Sequence, residues 1–171
     1  MTRSPLAPDS FPDLPPIAGI KLGTAASGMR YQGRDDLLLI TLAPERSVAG
    51  VFTQSDTAAA PVGWSRKIAE TGKAAAIITN AGNANAFTGS RGDNAIHDIV
   101  NNLASHLDCD AGAIMVASTG VIGEPLDAAK LAPYFDALVN ESNANWPDAA
   151  NPLPPTDPFP NAAHPQRRRD G

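Results

Sequence analysis

Apolar positions in this chain fall into short blocks whose spacing switches between strand-like and helix-like periods. The run Leu37-Leu38-Leu39-Ile40-Thr41-Leu42 is continuous and of strand length, and it predicts a buried strand. Val48-Ala49-Gly50-Val51-Phe52-Thr53 predicts another, with Pro44 in the turn between them. Gly28 and Gly33 flank Tyr31, which predicts a hairpin over Leu22 to Arg34. Pro61 opens a predicted helix that runs to about Glu70 and ends at Gly72. Ala74 to Thr79 then reads as a strand. The clearest helix begins at Asp93, where Ile96, Ile99, Val100, Leu103 and Leu107 recur on one face. His97 and His106 fall off that stripe and read as surface residues. Asp110-Ala111-Gly112 closes the helix, and Ala113 to Val116 predicts a strand. A last helix is expected from Asp127 to Asn140, burying Leu131, Tyr134, Phe135 and Leu138. A pair of strands followed by alternating helices and strands is an α/β order.

The two ends differ in texture. Residues 1–16 hold five prolines and little apolar pattern, which predicts an irregular lead-in. Residues 17–146 are expected to form the α/β domain. Residues 147–171 carry seven of the sixteen prolines. Pro152, Pro154, Pro155, Pro158 and Pro160 can neither donate to a ladder nor sit inside a helix, so a tail without packed elements is expected.

Bulk properties narrow the function classes. A chain of 171 residues with 43% hydrophobic positions can bury one real core. The net charge of −5 and pI near 5.0 give no electrostatic footprint for nucleic acid. A single cysteine, Cys109, excludes an internal disulfide and a multi-cysteine zinc site, and the three histidines are not spaced as metal ligands. No metal is expected. The proline-rich start is neither a signal peptide nor a membrane span, so a cytoplasmic location is expected.

Two segments carry candidate chemistry. Ala117-Ser118-Thr119-Gly120-Val121-Ile122-Gly123 follows a short apolar strand. A turn of small polar residues and glycine there can aim a hydroxyl and backbone N–H groups at one spot, as an oxyanion hole requires. The plainer reading is a hydroxyl that caps a turn. In Asn80-Ala81-Gly82-Asn83-Ala84-Asn85-Ala86-Phe87-Thr88-Gly89, three asparagines alternate with small residues. This is either an elaborate strand-to-helix turn or a loop in which Asn80, Gly82, Asn83 and Asn85 shape a polar site. No Gly-x-Ser-x-Gly elbow, Walker-type phosphate loop or Gly-x-Gly-x-x-Gly is present.

In order and in register, these segments resemble the ornithine/glutamate N-acetyltransferase (ArgJ) family. Ile17-Ala18-Gly19-Ile20 is similar to its opening Val-Ala-Gly-Ile/Val run. Val48 to Thr53 is similar to its Ala-Gly-Val-Phe-Thr strand, and Ala60-Pro61-Val62 to its Ala-Pro-Val helix start. Asn80 to Gly89 and Ala117 to Gly123 resemble its Asn-Ser/Ala-Gly-Asn-Ala-Asn-Ala-x-Thr-Gly and Ser-Thr-Gly-Val-Ile-Gly signatures. The match covers roughly Pro16 to Ala150.

The resemblance implies the N-terminal part of an ArgJ/DmpA-like α/β sandwich. Such enzymes cut themselves between an alanine and a threonine, and the new N-terminal threonine carries acetyl from N-acetylornithine to glutamate. Some members also accept acetyl-coenzyme A, and no bound cofactor is implied. Thr119 and Gly120 match the Thr-Gly pair that forms the family's oxyanion hole. The family's Lys-Gly-Ser-Gly-Met-Ile and Ala-Thr segment has no counterpart here, and no threonine of this chain follows an alanine. The family's substrate-binding threonine lies in a strand that corresponds to Pro152 to Pro160, where Thr156 is the remaining threonine. The chain is therefore expected to hold the oxyanion hole without the nucleophile. It should be inactive alone and should join a separately encoded β-chain in a hetero-oligomer through an apolar surface. The alternative is a truncated or degenerate product with at most a binding or assembly role.

Overall fold

The described residues build one four-stranded sheet, and the continuous apolar run Leu37 to Leu42 forms one of its two middle strands. The computed structural model describes residues 10–44 and 47–150. The strands are β1 (Ile20–Ala25), β2 (Leu37–Leu42), β3 (Ala76–Asn83) and β4 (Ile114–Val121), in the spatial order β1-β2-β3-β4. β1 and β2 pair antiparallel, as do β2 and β3, whereas β3 and β4 run parallel. The α-helices are α1 (Ala60–Thr71), α2 (Ser90–Leu107), α3 (Phe135–Asn140) and α4 (Trp146–Ala150). Helix α2 supplies the crossover that a parallel β3–β4 pair requires. The α/β class expected from the sequence is the one observed.

Strand alternation divides the core. Leu37, Leu39, Ala76, Ile78, Ile114 and Val116 face α2 and α3, and the α2 stripe Ile96, Ile99, Val100 and Leu103 packs on them. Gly23 lies on that same face, where a β-carbon would overlap the Leu138 backbone of α3. On the opposite face, Leu22 and Leu38 pack against Ala149 and Trp146 of α4.

Helix α1 lies along the open edge of β4. Ser65 Oγ donates to the Val116 carbonyl at 2.7 Å and accepts from the Val116 N–H at 2.8 Å. Trp64 Nε1 donates to the Ile114 carbonyl at 2.8 Å. Two side chains thereby satisfy strand groups that a neighbouring strand would otherwise bond.

Four expectations need correction. Val48 to Thr53 forms no strand: Val51 is fully exposed, and among the described residues the one isolated bridge joins Ser47 to Lys73. Val48 and Phe52 instead pack beside α1, near Ile68. The hairpin over 22–34 is wider than expected. Its strands are β1 and β2, and Gly28 and Gly33 lie in the connection. The helix expected over 127–140 is broken into short 3-10 turns at Ala128–Lys130 and Ala132–Tyr134, followed by α3. Pro133 lacks the N–H that a continuous helix would use there. Leu131, Phe135 and Leu138 are nonetheless buried, as the pattern required. Finally, packed structure extends past Pro147. In α4, Asn145 Oδ1 accepts from Asp148 N and Asp148 Oδ2 accepts from Asn145 N, a reciprocal cap. Pro147 sits in the first helical turn, where its missing N–H is not needed.

Candidate active site

The two signature segments lie side by side, as neighbouring parallel strands rather than turns. The ladder pairs Asn80 with Ser118, Ala81 with Thr119 and Gly82 with Gly120. The turns expected at Asn80 to Asn83 and at Ser118 to Gly120 are therefore corrected, whereas Ala84 to Gly89 forms the expected strand-to-helix connection into α2. The pairing between β3 and β4 outweighs the local turn preference of Asn and Gly. The register then breaks, because Asn83 pairs with both Thr119 and Val121.

The break centres on two glycines. Gly82 has φ of 105° and Gly120 of 132°, both in the region that favours glycine. The backbones approach so closely that a β-carbon on Gly120 would lie 2.6 Å from Asn83 N and 2.7 Å from Gly82 Cα. No side chain fits between the strands at that level.

Side-chain amides bracket the break. Ser118 Oγ donates to Asn80 Oδ1 at 2.6 Å, and Asn80 Nδ2 donates to the Asn83 carbonyl at 2.8 Å. Asn83 Nδ2 donates to the Glu124 carbonyl at 3.0 Å, while its Oδ1 accepts from Asn85 N at 2.7 Å. Asn85 is wholly buried and holds a φ of 47°. Its Nδ2 donates to the Gly92 carbonyl in the first turn of α2, and its Oδ1 accepts from the Thr88 hydroxyl. Gly92 has no side chain because Thr88 Oγ1 and Asn85 Oδ1 fill the space that one would need.

The β1–β2 connection roofs this network. Asp36 is fully buried and accepts from Ser27 N at 2.6 Å and Met29 N at 3.0 Å. These bonds bring Met29 Sδ to 3.9 Å from Asn80 Nδ2 and Arg30 beside Gly82. The nearest ion pair, Arg30 to Glu124 at 3.4 Å, is solvent-exposed and adds little stability.

The edge of β4 supplies the polar groups that face outward. In a parallel ladder both backbone groups of one residue point to one edge, and its neighbours point to the other. Val116 bonds outward to Ser65, and Val121 bonds inward by accepting from Ala84 N. The Ser118 and Gly120 N–H groups therefore point to the outer edge, past the last strand residue that α1 bonds. Thr119 lies between them and is half-exposed.

Of the expected site residues, the structure brings together Asn80, Gly82, Asn83, Thr119 and Gly120, with Asn85 anchoring the loop beyond. Thr156 lies outside the described residues. The sequence reading missed Ser118 as the partner of Asn80, and Trp64 and Ser65 as the cover of the β4 edge. A serine among the buried positions of an amphipathic helix was the available signal for Ser65. A cavity borders the loop that follows Asn85. Its volume is about 320 Å³, and it is bounded by Asp56, Phe87, Thr88 and Asp93. Among the described residues there is no cluster of three or more metal-ligating side chains, and no helix is long and apolar enough to cross a membrane.

Known proteins resemble this chain in sequence and in fold. The ArgJ family model matches residues 21–169. The arginine biosynthesis bifunctional protein ArgJ of Nitrobacter winogradskyi is 48% identical over 94% of this chain and 40% of its own length. The protein of the same name from Agrobacterium fabrum is 44% identical over 92% of this chain and 38% of its own. The chain thus spans about 40% of the length of these relatives. Among solved structures, the Mycobacterium tuberculosis ornithine acetyltransferase complexed with ornithine is 33% identical, with a TM-score of 0.78 over 83% of this chain and 78% of that one. The arginine biosynthesis bifunctional protein of Bacillus halodurans is 26% identical, with a TM-score of 0.73 over 83% of this chain and 75% of that one.

Proposed function

This chain belongs to the ArgJ family, and on that premise we propose that it supplies the oxyanion side of a glutamate N-acetyltransferase/ornithine acetyltransferase site. The observation that carries this reading is the Gly82–Gly120 contact, beside which Thr119 and the outward N–H of Gly120 stand on the stretch of β4 beyond Val116, the last residue bonded to α1.

The proposed chemistry runs through a threonine hydroxyl from a segment that docks at this edge. The hydroxyl oxygen attacks the acetyl carbonyl of N-acetylornithine, and the carbonyl oxygen takes up the negative charge. The Thr119 hydroxyl and the Gly120 N–H donate to that oxygen. Collapse expels the ornithine amine, which takes up the proton given off by the threonine hydroxyl, and leaves acetyl on the threonine. The glutamate amine then attacks the acyl group through the same oxyanion and regenerates the hydroxyl. Donors held by a rigid backbone need no rearrangement as charge develops, and removing one typically lowers kcat by about 10²–10³-fold. Acetyl-coenzyme A as a second acetyl donor is part of the same proposal.

The test combines the 171-residue chain with the part of the Nitrobacter winogradskyi relative that lies beyond the matched segment. The chain alone is expected to transfer no acetyl group from N-acetylornithine to glutamate, and the combination is expected to do so. Thr119→Ala should then lower kcat by about 10²-fold or more while KM changes much less. Equal losses in kcat and binding would refute the oxyanion role. Failure of any combination to turn over would favour an inactive chain with a binding or assembly role.

A further inference from the structure

We infer that Ser118 and Asn80 form a positioning pair that fixes the direction of the Gly120 backbone, a role that neither residue plays through contact with substrate. The oxyanion consequence of this inference rests on the reading above, whereas the structural part stands independently.

The argument starts from the break in the ladder. Up to Gly82 and Gly120 the parallel pairing is regular, and beyond it one residue of β3 faces two of β4. A bulge leaves backbone groups without ladder partners and gives the strand room to rotate. Two glycines at positive φ add freedom at that point. Something other than the ladder must therefore hold the peptide between Thr119 and Gly120 in one orientation.

The bond from Ser118 to Asn80 does this from one residue upstream. At 2.6 Å it ties β4 to β3 two pairs before the register breaks, and Asn80 passes the constraint to the Asn83 carbonyl across the bulge. Both atoms of the Asn80 amide are thus committed, one on each side of the irregularity. Asn80 is only 3% exposed, so water does not substitute readily for the serine hydroxyl. Asn83 then reaches the Glu124 carbonyl, fixing where β4 leaves the sheet. The three residues clamp both exits of the glycine contact and leave its outer edge open.

The test uses hydrogen exchange on the isotopically labelled chain. Ala84 N donates to the Val121 carbonyl and Gly123 N to the Ala86 carbonyl, so both amides report on the far side of the bulge. Leu42 N, bonded to the Ala75 carbonyl, and Ala75 N, bonded to the Ala113 carbonyl, report on the near end of the sheet. Ser118→Ala is expected to speed exchange at Ala84 and Gly123 by about tenfold or more, with Leu42 and Ala75 within about twofold. Ser118→Thr, which keeps the hydroxyl, should restore slow exchange. Asn80→Asp, which keeps the acceptor but cannot donate to Asn83, should reproduce the local loss. A uniform increase at all four amides, or no change at any, would overturn the inference. In the combined enzyme, Ser118→Ala should lower kcat by about tenfold with KM within about twofold. A raised KM with unchanged kcat would also overturn it. If the unsubstituted combination shows no turnover, the acyl-transfer reading fails, and the exchange pattern alone decides the positioning role.

Discussion

Replacing Gly120 with alanine puts the central geometric claim at risk. The added β-carbon would sit 2.6 Å from Asn83 N and 2.7 Å from Gly82 Cα. Both neighbours are backbone, so no side-chain rotation relieves the overlap. The residue would also have to hold a φ of 132°. Such a backbone conformation costs about 1–3 kcal/mol for a residue with a side chain, and overpacking adds about 1–3 kcal/mol more. A loss of roughly 4 kcal/mol is therefore expected. With a urea dependence of about 2 kcal/mol per molar, the unfolding midpoint should fall by about 2 M. Two controls separate the causes. Gly33 has a φ of 73° and nothing within 4 Å, so Gly33→Ala meets the conformational cost alone and should lose about 1 kcal/mol. Gly63 lies inside α1 with open space around it, and Gly63→Ala should gain about 0.5–1 kcal/mol. Urea unfolding of the three variants, followed by circular dichroism, gives the comparison. If Gly120→Ala costs no more than Gly33→Ala, the close approach of β3 and β4 is wrong.

Ser65→Ala should destabilise the chain by about 2–3 kcal/mol, because it strands the Val116 N–H and weakens satisfaction of its carbonyl at a buried edge; a thermal midpoint unchanged within error would contradict the sealed edge. Burial, helped by Asp110 and then Asp108, holds the Cys109 thiol above its ordinary range. Alkylation of the native protein by iodoacetamide at pH 8 should therefore be slower than that of the urea-unfolded chain, and an equal or faster native rate would disprove it.

Where a single local signal decided the outcome, the sequence was readable. Pro61 and Gly72 bound α1 within one residue, and the apolar run 37–42 is β2 itself. The Asp93 stripe marks α2, which begins three residues earlier because Asn85 and Thr88 pin its first turn. The site was located but its conformation was not. Asn80, Gly82, Asn83, Ser118 and Gly120 all favour turns in isolation, and their place in strands comes from pairing between segments 38 residues apart. The reverse error occurred at Val48 to Thr53. Its β-branched pattern is strand-like, yet no strand lies beside it, and Val48 and Phe52 serve α1. Pro133 was visible, but its effect depended on whether the helix would continue through it.

The cover that α1 places on β4 also sets an order of assembly. Trp64 and Ser65 reach residues 50 and 51 positions further along the chain, with β3 and α2 in between. During synthesis α1 leaves the ribosome well before the strand it covers. In that interval the flank of β3 reserved for β4 is open to any other extended segment. Loop-closure entropy has to be met before such distant contacts form, so α1 settles after β3, α2 and β4 have come together. Its bonds then belong to the late part of folding. Ser65→Ala should accordingly speed unfolding far more than it slows refolding, a ratio that the two arms of a denaturant chevron measure directly.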